Sequence, residues 1–517
     1  MLQPSFTPTI HPTFTHTPIP PSATATSIPP PATPVVIFTV HYHPDGGLFI
    51  GDQVSLEVIP PGGWNSSSGI DLKDKKIQVQ VDEPIQTNLG LATFSAYGIG
   101  GRLQATLTWA WDTRGLEPGN YTLHFSIQPD GASWYETISL KPADDLRPPE
   151  PQAHWEMTET GCCAIYYITG TAAERDLASL AVTADEQANM ASQRMGIELS
   201  SPITITILPR VIGHGGLADS EVYVSYLDRN YAGNDFAMVV QHEMIHVLDS
   251  RLGGDLRPTI LVEGLAVYMS GGHFKPEPLL PRAAALTELG WYLPLAPLSD
   301  DFYTSQHEIG YLEAGALVQY LVNTYGWQTF SAFYRDIHPQ PSGKQSDALD
   351  VALNAHFELG LAQLEERFLA ELQRQSTFSS FEEDVRLTVT YYNTVRRYQQ
   401  ILDPSAYFLM AWIPNGKMMR ERGIVADYLR HPDSPENKSL ETWLVEVGHA
   451  LLTGNFGDGL RTLRVVNIEL DTIQQKQNSF PQGMIVNLRE SFELFYLRTS
   501  WQEWQYITPQ VMRIDVP

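Results

Sequence analysis

The pattern of apolar residues changes once along the chain, and that change constrains the fold more than any other feature. From Val35 to about Ala143, apolar and polar residues alternate in short β-rich runs: VVIFTVHYH, QVSLEVIP, KIQVQV, LATFSAY, LQATLTWAW, YTLHFSIQ and WYETISL. A period of two places one face of each run in a core, and the turn signals PDGG, PPGG, GIGG and EPGN separate the runs. Seven such strands predict an antiparallel β-sandwich of Ig-like type over residues 35–145. It holds no cluster of catalytic residue types, so a spacer or binding module is its default role. The stretch KPADDLRPPEPQ, Lys141 to Gln152, reads as a linker. A strand at CCAIYYITG follows, then a helical pattern over Thr171–Met195 and two strands at ITITILP and EVYVSYLD. Beyond these the chain reads helical almost to its end. Strands followed by helices imply an α+β domain, expected over 152–375. Residues 376–517 are expected to form a mostly helical C-terminal domain, closed by the strand-like VMRIDVP.

Residues 1–34 are dominated by Pro, Thr and Ser and show no hydrophobic period. Such a stretch cannot bury a core and is predicted to be a disordered, extended linker. Stalks of this kind hold domains away from surfaces, which suggests an extracellular or cell-surface protein. The start of the chain lacks the basic and apolar regions of a signal peptide. No run of 18 apolar residues exists, so no transmembrane segment is expected. The net charge of −26 argues against a nucleic-acid partner and against anionic lipid, because both require a basic surface. The chain has two cysteines, Cys162 and Cys163. Being adjacent, they cannot staple distant parts of the fold, and they lack the spacing of a Cys-based zinc site. They are read as a buried pair at the start of a strand in preference to a vicinal disulfide.

The chemistry concentrates in QHEMIHVLDS, Gln241 to Ser250. Asn234 as N-cap and Gly253 as stop predict a helix over Asp235–Leu252. At 100° per residue, His242, Glu243, His246 and Asp249 fall within an arc of about 120° on an otherwise apolar helix. A solvated face would carry Lys and Gln along its length. Histidines four apart stand one above the other and can converge on one Zn²⁺. Glu243, rotated off that axis, can take a proton from a water that the metal activates. Chance would place this pattern in only a few per cent of chains of this size. A catalytic zinc needs a third protein ligand. Glu263 is the one charge in the apolar run from Ile260 to Met269, 263 − 246 = 17 residues after His246, enough for a turn and an antiparallel return. A buried carboxylate is costly unless paired or metal-bound, and Gly264 beside it admits another backbone.

HEMIH followed by LVEGLAVYMS resembles the gluzincin metallopeptidases, in particular the peptidase MA-like group, with HExxH and then EG-x-A-x-Y. The likeness continues in GYLEAGALVQYLVNTYG and covers roughly residues 152–375. It implies a zincin-like fold, with His242, His246 and Glu263 as zinc ligands, Glu243 as general base and one Zn²⁺ per chain. Thermolysin-type gluzincins place an Asp four residues after the ligand Glu. Val267 stands there, so that detail does not carry over. Asp249 is expected to orient His246 instead. Tyr311 is the first candidate for the oxyanion donor, with a core packing role as its equal rival, and His214 is the second. His273, His307, His338 and His356 are given no role. EVYVSYLD, Glu221 to Asp228, is expected to be the sheet edge that a peptide joins.

These residues predict a zinc-dependent peptidase acting on a peptide or protein substrate. Endo- and exopeptidase action stay open, as does the oligomeric state. The alternative is a surface-displayed binding or adhesion protein whose zinc domain is inactive. The intact Glu243 argues against it.

Overall fold

The computed structural model describes residues 38–61, 72–98, 101–199, 202–213, 215–219, 221–233, 235–252, 254–375, 378–411 and 416–479. The Pro/Thr-rich start, the VMRIDVP end, His214, Asn234 and Gly253 lie outside them.

The N-terminal strands form two sheets around one apolar core. The first has the order β1-β3-β7-β6, from Thr39–His43, Gln53–Ile59, Arg102–Asp112 and Ser95–Tyr97. The second has the order β2-β9-β8-β4-β5, from Leu48–Phe49, Ser133–Lys141, Gly119–Gln128, Lys76–Glu83 and Thr87–Thr93. Alternation does what the sequence implies. Ile77, Val79 and Val81 of β4 and Leu123, Phe125 and Ile127 of β8 all point into that core. The described residues of this region form nine strands where seven were expected. LATFSAY is divided at the buried Phe94, so that β5 pairs with β4 in one sheet and β6 with β7 in the other. The two-residue β2 adds the ninth.

The register between β3 and β7 shifts between Val54 and Leu56. Opposite this irregularity Trp109 takes φ +45°. By parity Trp109 should share the core of Leu107 and Trp111. It turns out of the sandwich instead and packs with Phe408, Met419 and Tyr428 of the C-terminal helices. A bulge that re-aims one side chain explains this.

The second sheet system has the order β10-β11-β12-β14-β13, from Trp155–Glu159, Cys163–Ile168, Ile203–Leu208, Val222–Ser225 and Gly216–Ala218. The central three strands are parallel, and β10 and β13 are antiparallel edges. This corrects the expected edge. β14, within Glu221–Asp228, is an inner strand, and the three-residue β13 covers it. Cys162 and Cys163 are joined in a disulfide rather than lying as a free buried pair. Both remain buried at the head of β11.

Helix α1 (Leu177–Met195) connects β11 to β12, and helix α2 (Phe236–Leu252) packs against it. Asp235 caps α2, accepting from the Met238 N–H at 2.9 Å, so the cap is one residue later than expected. Helix α3 (Thr259–Ser270) returns against α2 and packs on α4 (His307–Tyr325). The two glycines set this contact. A Cβ on Gly264 would lie 2.4 Å from the Ala314 carbonyl oxygen, and one on Gly315 would lie 2.5 Å from Val267 Cγ1.

Helices α5 (Ser379–Leu402), α6 (Pro435–Thr453) and α7 (Phe456–Ser479) pack on one another and share a core with Val211, Tyr231 and Phe274. Arg430, which precedes α6, binds both carboxylate oxygens of Asp52 at 2.7 Å and Glu150 through Nε at 2.8 Å. The sandwich, the Lys141–Gln152 connection and the C-terminal helices thus meet on one guanidinium.

Candidate metal centre

The polar stripe of α2 faces α3 across a cleft of about 650 Å³. His242 Nε2 and His246 Nε2 stand 3.1 Å apart. Glu263 Oε2 lies 3.6 Å from the first and 3.2 Å from the second. Four-coordinate zinc with bonds of about 2.0–2.1 Å separates its ligand atoms by about 3.3 Å. The observed triangle has that size without adjustment. Glu263 Oε2 is buried and makes no hydrogen bond, although Oε1 accepts from the Tyr303 hydroxyl at 2.6 Å. A buried carboxylate oxygen aimed at two imidazole nitrogens is a donor set that could hold a divalent cation.

Electrostatics point the same way. Burial alone would disfavour the Glu263 carboxylate, but His246 and His242 outweigh it and hold the group well below the usual range. Burial works against the His246 imidazolium. Glu263, with help from Glu243 and Asp249, overrides it and lifts His246 to about 9. The apposed charges of this cluster are compact and desolvated. Zinc requires neutral imidazoles and an ionised carboxylate, so its binding would displace protons here.

Glu243 lies beside this triad rather than in it. Burial, with the Glu263 charge added, pushes its carboxyl up to about 8, while His246 and the Ala218 N–H pull it part of the way back. Edge strand β13 runs directly over it. A Cβ on Gly216 would lie 2.8 Å from Glu243 Oε1 and 2.4 Å from Val239 Cγ1, so only glycine allows this approach.

Tyr311 opens the second turn of α4 and lines the cleft. Its ring stacks against two histidines, His273 at 4.0 Å and His307 at 4.4 Å, whose own rings lie 6.1 Å apart. Burial and the nearby Glu263 hold its hydroxyl protonated, far above the usual tyrosine range. The His273 ring also stacks on His242 at 5.2 Å. The loop that carries it is fixed by Lys275, which pairs with Asp384 at 2.8 Å, and by the His273 N–H, which donates to Glu277 at 3.0 Å. His273 and His307, given no role from sequence, line the cleft, and so does Tyr303, which the sequence did not mark. Asp249 departs from its expected role. It accepts from Arg257 at 3.0 Å and from Tyr334 at 2.9 Å, and it reaches His246 only through its charge. His338 and His356 pair with Asp336 away from the cleft.

No known protein family and no curated protein matches this chain in sequence. The comparison with solved structures does find matches. An M1 zinc metallopeptidase from Deinococcus radiodurans is 12% identical, over 62% of this chain and 88% of that one, with a TM-score of 0.26. A two-domain M1 zinc metallopeptidase bound to L-arginine is 12% identical, over 66% of this chain and 94% of that one, with a TM-score of 0.27. No helix among the described residues is long and apolar enough to cross a membrane.

Proposed function

We propose that the chain is a zinc-dependent peptidase of gluzincin type, with His242, His246 and Glu263 as ligands of one Zn²⁺ and Glu243 as general base. The observation that carries this reading is the triangle of ligand atoms with sides of 3.1, 3.2 and 3.6 Å, beside a separate buried carboxyl. Bound zinc would polarise the scissile carbonyl and acidify a water molecule. Glu243 takes the proton of the attacking water and returns it to the leaving nitrogen. Tyr311 donates a hydrogen bond to the developing oxyanion. Edge strand β13 offers backbone groups for an extended peptide. The Ig-like reading of the sandwich and an extracellular or cell-surface location, suggested by the Pro/Thr-rich start, belong to the same proposal.

The test is zinc stoichiometry and cleavage of an unbiased peptide library by three forms of the full chain. Parent protein is expected to hold one zinc and to cleave. Glu243→Gln should keep its zinc and lose about 10²–10⁴-fold in rate. Glu263→Ala should lose zinc. A parent that binds zinc and cleaves nothing would leave the binding-protein alternative standing.

A further inference from the structure

The cleft has a cation at one end that the reaction above does not use. Arg257 lies between α2 and α3 and lines the cleft together with His246, Ser250 and Val262. It is the one Arg or Lys among the described lining residues. Every other ionisable lining group is an acid, a histidine or a tyrosine.

Two features set this side chain apart from a solvated surface arginine. Its Nη1 is tethered at 3.0 Å to Asp249, which is only 1% exposed. Asp249 also accepts from Tyr334, so the tether is itself held in place. The rest of the guanidinium makes no hydrogen bond among the described residues, and the side chain is 37% exposed. The result is a fixed guanidinium with free N–H donors facing the cleft. That geometry matches a carboxylate, which such a fork binds by charge-assisted hydrogen bonds. The position also fits. Asp249 stands three residues beyond His246, about 4.5 Å along α2. An extended peptide advances about 3.3 Å per residue. A carbonyl placed at the histidines therefore brings a carboxylate one or two residues further on within reach of Arg257.

We propose that Arg257 anchors the C-terminal carboxylate of the substrate, so that this site removes one or two residues from peptide C-termini. The inference rests on the peptidase reading and narrows its substrate class. Hydrolysis itself is unaltered. The peptide C–N bond breaks, a C–O bond forms to the water oxygen, and both water protons end on the departing nitrogen, which leaves as an ammonium.

Binding tests it without turnover. Full-length protein carrying Glu243→Gln is loaded with zinc and titrated with pentapeptides made as matched pairs, free acid against C-terminal amide and free amine against N-terminal acetyl. The acid is expected to bind about ten- to hundredfold more tightly than the amide, with acetylation having little effect. Adding Arg257→Gln should level acid and amide. Because that change leaves Asp249 buried without its cation, the Asp249→Asn, Arg257→Gln pair is measured too, and it should also level them while keeping zinc. Equal binding of acid and amide with zinc in place overturns the anchor and leaves the peptidase reading intact. So does a preference set by the free amine, or an acid preference that survives loss of Arg257. Failure to hold zinc or to bind any peptide sinks both.

Discussion

The hydroxyl of Tyr303 donates to Glu263 Oε1 across 2.6 Å, which leaves Oε2 turned toward the two histidines. The tyrosine thus fixes which carboxylate oxygen would meet a metal held by this group. Tyr303→Phe removes the hydrogen bond and keeps the ring. Zinc affinity is expected to fall about 10- to 100-fold, the usual cost of losing a partner that orients a ligand. Competition with a chelator measures it, and unchanged affinity would show that packing alone orients Glu263.

Tyr311→Phe should act on rate and not on metal. The ring keeps its contacts with His273 and His307, and the hydroxyl alone is lost. If that hydroxyl serves only the transition state, kcat and kcat/KM fall together by about 10²–10³-fold. Zinc content should stay at the parent value. A normal kcat would return Tyr311 to a packing role.

Gly264→Ala tests the contact that positions Glu263. The added Cβ would sit 2.4 Å from the Ala314 carbonyl oxygen. Backbone cannot rotate aside as a side chain can, so α3 and α4 must separate. A loss of about 1–3 kcal/mol in unfolding free energy is expected, with weaker zinc binding because Glu263 moves with α3. Denaturant titration gives the first quantity, and a variant as stable as the parent would refute the tight fit.

Asp427 links stability to pH. Burial pushes its carboxyl up to about 6, and His43 and the Trp109 N–H, which donates at 3.1 Å, restrain the rise. Asp52 and Arg430 also act on it, in opposite directions. The folded value lies above the ordinary value of about 3.9, so the folded state holds this proton more tightly. The stability from that proton is fully present below about pH 4 and is lost as pH rises through 6. Two units correspond to roughly 3 kcal/mol. Asp427→Asn stays neutral throughout, so its unfolding free energy should gain on the parent by that order between pH 4 and pH 8. A pH-independent difference between the two proteins would contradict the assignment.

Much of this arrangement was legible where it depends on short spacings. Two histidines four apart on a capped helix must share a face, and a lone acid in an apolar helix must find a cation. Alternation likewise marked the strands of the sandwich. What escaped depends on where loops end in space. Tyr303 and His273 stand in segments joining helices, and no periodicity tells which way such segments turn. β13 is three residues long, too short to show alternation, so the edge was assigned to its longer neighbour. Trp109 has the right parity for the sandwich core. Its positive φ, visible only in the structure, sends it to the C-terminal helices.

Arg430 has a consequence for how the protein is made. Its partner Asp52 lies 378 residues earlier in the chain. At roughly 5–20 residues per second, a ribosome needs about 20–75 s to bridge that interval. The sandwich emerges first and must wait that long with Asp52 open to water, its final neighbour not yet synthesised. Any truncation that stops before residue 430 makes the wait permanent.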